Sequence, residues 1–154
     1  GLTYSARSAL TRPSQPGSFA IVSFTKTDTT IVAIDLAIEL LQRMRREGFS
    51  EELVASGKNY ILGQFAPRLE TATQLAGQFA SLQAAGLEAS YINDYGDAIA
   101  GAAGEDIQAV IKSAYPKAVD LVIAIIGDAE LIRNDIAKYG PVTEMSITEP
   151  LFRP

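Results

Sequence analysis

The 154 residues carry 13 basic and 18 acidic side chains, a formal charge of −5 that argues against non-specific nucleic-acid binding, which needs a basic surface. Hydrophobic residues make up 47% of the chain, and no apolar run approaches the ~20 residues of a membrane-spanning helix. The chain holds neither Cys nor His, which excludes disulfides, thiolate chemistry, Ser-His-Asp triads and His-ligated zinc within it, and leaves the compartment open.

Residues 2–11 alternate like a strand, with Leu2, Tyr4, Ala6, Ser8 and Leu10 on one parity. Pro13, Pro16 and Gly17 mark a turn over residues 12–17, returning the chain as an antiparallel partner over residues 18–26. That second strand is apolar at both parities around Ala20, Ile21 and Val22, so it is expected at the centre of a sheet, covered on both faces. A long helix is expected over residues 29–47. Asp28 would be its N-cap, Ile31, Ile34, Ile38 and Leu41 its stripe, Leu36 and Leu40 the margin of that stripe, and Gly48 its C′ residue. Arg43, Arg45 and Arg46 at its end suit the helix dipole better than an anion site.

Ser50 reads as the N-cap of a second helix, with Glu51 and Glu52 in its first turn and a Phe49–Val54 staple, stopping before Pro67. The favourable first turn explains that carboxylate pair better than a metal or acid/base role. Thr71 to Gln74 is a Thr-x-x-Gln capping box, opening a helix that Gly86 ends. A helical piece over 91–99 follows, where helix packing accounts for the Tyr91 and Tyr95 spacing better than a binding face. Another helix follows Gly104 and closes at Tyr115-Pro116. Residues 121–126, all apolar, read as a buried strand. Asp128 then caps a helix ended by Gly140-Pro141; without a glycine-rich loop it is read as a cap and not as a ligand site. Residues 142–148 read as a last strand and 149–154 as a tail. The expected fold is one α+β domain over residues 1–154, a mostly antiparallel sheet packed against several helices.

Several strings, in order along the chain, resemble the pitrilysin/insulinase family of zinc metallopeptidases. They are Gly1-Leu2-Thr3-Tyr4, Ser23-Phe24-Thr25-Lys26, Lys58-Asn59-Tyr60-Ile61, Gly63-Gln64-Phe65, Arg68-Leu69-Glu70-Thr71, Gln74-Leu75-Ala76, Glu105-Asp106-Ile107-Gln108 and Ile126-Gly127-Asp128. The resemblance implies a mitochondrial-processing-peptidase-like half-domain, most of a C-terminal one, truncated on its N-terminal side. It further implies a substrate-binding C-terminal domain of a zinc metalloendopeptidase, with Tyr4 facing a zinc site that lies in another domain. The alternative is a catalytically inactive family subunit serving as partner or scaffold of an active one. No catalytic residue and no metal ligand is expected in this chain, and any zinc belongs to the full assembly. The implied partners are a zinc-binding N-terminal domain or sister subunit, a peptide substrate, and a homo- or heterodimer.

On periodicity alone, Tyr4 reads as a strand aromatic packed with its hydroxyl at the rim.

Overall fold

The computed structural model describes residues 1–11 and 17–149. Six α-helices and one two-stranded antiparallel sheet are found among them, so the fold is α+β and mostly helical. The chain divides into two compact units.

The first unit comprises residues 1–11, 17–42 and 116–149 of the described chain. Its sheet pairs β1 (Thr3–Leu10) with β2 (Phe19–Thr25) antiparallel. The expected pairing is present, while the turn expected over 12–17 lies, apart from Gly17, outside the described residues. Beyond the sheet, the Thr11 amide donates to the Ser18 carbonyl at 2.9 Å, and the two hydroxyls lie 3.0 Å apart.

Three strand expectations for this unit need correction. The second strand is not central, because among the described residues β2 pairs with β1 alone, leaving Ile21, Val22 and Phe24 exposed. Residues 121–126 and 142–148 are not strands, because a strand requires a ladder and the described sheet offers neither of them one. The latter stretch is held by side chains instead. Arg133 grips Glu144 through two parallel bonds, Nε to Oε2 at 2.8 Å and Nη2 to Oε1 at 2.9 Å, and the Thr148 amide donates to Ser146 Oγ at 3.2 Å. The tail expected over 149–154 lies, apart from Glu149, outside the described residues.

The long helix forms as α1 (Thr30–Glu47), preceded by a 3-10 turn, Thr27–Thr29. Asp28 is not its N-cap. It lies inside the 3-10 turn, and the hydroxyls of Thr29 and Thr30 donate back to the Lys26 carbonyl at 3.1 and 3.2 Å. Leu41 is buried and Ile31, Ile34 and Ile38 are half-buried, as the stripe predicts, but Leu36 and Leu40 are exposed. The apolar face is thus narrower than the sequence implies. Asp128 accepts from the Glu130 amide at 3.1 Å and caps α6 (Ala129–Ile136), whose Ile132 is buried. The chain leaves a following 3-10 turn, Ala137–Tyr139, through Gly140 at φ 145°.

The second unit is helical across residues 43–115. Gly48 adopts φ 73°, and its amide donates to the Met44 carbonyl at 2.9 Å, which closes the helix as expected. Ser50 accepts from the Leu53 amide at 3.2 Å and opens α2 (Glu51–Phe65), after which Pro67 sits in a 3-10 turn. Thr71 and Gln74 make both halves of the capping box that opens α3 (Ala72–Ala84). Gly86 at φ 70° then allows the Leu87 amide to reach the Leu82 carbonyl at 2.9 Å. The next helix is longer than its sequence signal, α4 (Ser90–Gly101). Helix α5 (Gly104–Ala114) starts at Gly104, and Asp106 accepts from the Ala103 amide at 3.1 Å. Leu82 and Ile111 are buried in this unit.

Candidate functional site

Tyr4 sits at a break in the β1–β2 register. Thr3 stands opposite Thr25 and Ser5 opposite Phe24, so Tyr4 is the extra residue of a β-bulge. A bulge turns its side chain out of the strict alternation of the strand, and this defeats the packed-aromatic reading that periodicity suggests. The Tyr4 side chain is 95% exposed. Hydroxyls of β2 hold the backbone on both sides of it. Thr25 Oγ1 donates to the Leu2 carbonyl at 2.7 Å, and Ser23 Oγ donates to the Ser5 carbonyl at 2.9 Å. Thr25 Oγ1 also lies 2.6 Å from the hydroxyl of Thr29, which ties the end of β2 to the turn before α1. The bulge is therefore braced while the phenol it carries is left to solvent. Phe24 across the break is 62% exposed, so two aromatic rings stand out of this end of the sheet.

The other sequence candidates have structural duties. Glu51 and Glu52 lie in the first turn of α2. Tyr95 stacks on Phe65 with ring centroids 4.3 Å apart, which packs α4 on α2, and Tyr91 lies 6.0 Å from Tyr95 along the same helix. Among the three arginines, Arg46 pairs with the adjacent Glu47 at 2.9 Å in solvent. Arg45 does something that the sequence does not signal. Its guanidinium donates to the carbonyls of Ile111 (3.1 Å), Lys112 (3.2 Å) and Tyr115, capping the C-terminus of α5 and not that of its own helix.

A second cluster was not legible in the sequence. Asp35 on α1 accepts from Lys138 Nζ at 2.7 Å and from the Tyr139 hydroxyl at 2.7 Å, and the Lys138 ammonium lies 4.9 Å from the Tyr139 ring centroid. The hydrogen bond from Lys138, then that from Tyr139, holds the Asp35 carboxyl below its ordinary value. Lys138 is raised, first by its bond to Asp35, and Tyr139 is raised by desolvation and then by Asp35. All three groups satisfy one another, so the cluster braces α1 and presents no free acid or base. Near it, Thr27, Asp28 and Ile31 face Leu131, Ile132 and Asp135 across a shallow pocket with two carboxylates on its rim.

Among the described residues no group of three acidic, His or Cys side chains is placed to hold a metal ion, and no helix is long and apolar enough to cross a membrane. In comparisons with known proteins, no family model and no curated sequence matches the chain.

Proposed function

We propose that the chain is a substrate-binding C-terminal domain of a zinc metalloendopeptidase, with Tyr4 as its contact to the peptide and the zinc held in another domain. The observation that carries this reading is the exposed Tyr4 phenol on a braced bulge. A folded chain gains nothing by holding a large aromatic ring in water, whereas a rigid strand presenting a free hydroxyl is well built to donate to a substrate. With no His or Cys in the sequence, the zinc and the water it activates come from the partner domain or subunit. The role left to Tyr4 is to donate to the scissile carbonyl as negative charge develops on its oxygen.

The experiment is Tyr4→Phe in the assembly that contains the zinc-bearing domain. The ring is kept and only the donor is lost, so turnover should fall by about 10²–10³. Melting temperature and zinc content should hold, because the side chain packs on nothing. Unchanged turnover would remove Tyr4 from the site and leave the reading without its carrier.

A further inference from the structure

The two strands of the sheet carry a single charged side chain, Arg7. It is exposed, and among the described residues no ion pair or hydrogen bond engages its guanidinium. The register explains why. Arg7 stands opposite Val22, alternation sets Ser5 and Ala9 beside it on that face, and Phe24 and Ala20 lie diagonal to it across the ladder. None of these neighbours has a carboxylate, and all 18 acidic residues of the chain lie outside the two strands. The sheet therefore holds a cation that it does nothing to neutralise.

We propose that Arg7 is a specificity-determining residue of the peptide site, holding an Asp or Glu side chain of the substrate three residues from the scissile bond. The inference rests on the reading of Tyr4 as the contact to the scissile carbonyl. Arg7 follows Tyr4 by three positions on the same strand, a separation of about 10 Å. A peptide extended along β1 advances at the same rate, so its third residue from the scissile bond comes level with the guanidinium. That group is a planar fork of donors, which takes a carboxylate through two parallel bonds. Arg133 makes this pairing with Glu144 inside the chain, and Arg7 has the same fork with no carboxylate to fill it. A net charge of −5 repels acidic peptides from the chain as a whole. One cation on an otherwise uncharged sheet then fixes where the carboxylate of such a peptide is accepted, and so its register against Tyr4.

The test uses the assembly that contains the zinc-bearing domain. Its substrates are peptides with amidated C-termini that differ only by Glu or Gln at the third residue on either side of the scissile bond. On one side the Glu peptide should show about tenfold higher kcat/KM than its Gln counterpart. KM should carry most of that difference, because the carboxylate lies away from the reacting atoms. Arg7→Gln should bring the ratio close to one, and Arg7→Glu should transfer the preference to a peptide with Lys at that place. Melting temperature should hold in both variants, since the guanidinium packs against no partner of its own chain. The roles of Tyr4 and Arg7 fail separately. Tyr4→Phe should lower turnover of the Glu and Gln peptides alike and leave their ratio as it was. A ratio near one at both places in the parent assembly, or one that Arg7→Gln leaves intact, overturns the role of Arg7 whatever Tyr4→Phe does. A ratio abolished by Arg7→Gln beside unchanged turnover in Tyr4→Phe keeps Arg7 as the carboxylate contact and removes Tyr4.

Discussion

The Tyr139 hydroxyl donates to the Asp35 carboxylate at 2.7 Å, joining two residues 104 positions apart in the chain. Lys138, next to Tyr139, takes the other carboxylate oxygen, so one aspartate on α1 anchors the turn that follows α6. Neither residue stands in a recognisable motif, yet the cluster positions the C-terminal part of the first unit against its longest helix.

This link should make stability fall at both ends of the pH scale. The Asp35 pKa is lowered on folding, so its contribution is fully present above the ordinary carboxylate value and is lost as pH falls through the folded value. Lys138 is raised, so its contribution is present below the ordinary lysine value and is lost as pH rises through the folded one. Urea midpoints for the chain and for Asp35→Asn should differ at neutral pH and converge in acid. A difference that persists unchanged in strong acid would mean that Asp35 acts by something other than its charge.

Arg45 and Arg46 are neighbours with opposite expectations. Arg45→Met keeps the aliphatic stem and removes the donors from three carbonyls at the end of α5, a loss of roughly 2 kcal/mol. Arg46→Met breaks only an exposed pair with Glu47 and should stay within roughly 0.5 kcal/mol. Chemical denaturation of the two variants checks this, and equal effects would contradict the capping role of Arg45.

Gly48 and Gly86 separate backbone strain from side-chain clash. Both have positive φ, so an alanine at either position costs about 1 kcal/mol. At Gly86 nothing else stands near the new methyl, whereas at Gly48 it would meet Gln108 Oε1 at 2.5 Å. Gln108 has limited room to yield, since its Nε2 donates to the Arg45 carbonyl at 2.8 Å. Gly48→Ala should therefore cost clearly more than Gly86→Ala in thermal melts. Equal costs would show that Gln108 rearranges freely.

Thr71→Ala removes the side-chain half of the capping box and should cost about 1 kcal/mol. Thr71→Ser should restore most of it. Failure of serine to rescue would place the loss in methyl packing and not in the cap.

Local signals in the sequence located the helices and most of their ends. Ser50, Thr71 with Gln74, Asp128, Gly48 and Gly86 each act on amides or carbonyls a few residues away, so spacing alone locates them. The antiparallel pairing of the first two strands was legible for the same reason. What depends on distant partners was decided only by tertiary structure. Strand-like composition in residues 121–126 and 142–148 did not produce strands, because ladder hydrogen bonds come from another segment and the described residues supply none. The bulge that exposes Tyr4 arises from the register against β2, which alternation along β1 cannot reveal. Arg45 capping a helix whose end lies some 70 residues away, and Asp35 held by Lys138 and Tyr139, likewise follow from which surfaces meet in space. Periodicity records which side of an element is apolar; it carries no record of what stands opposite.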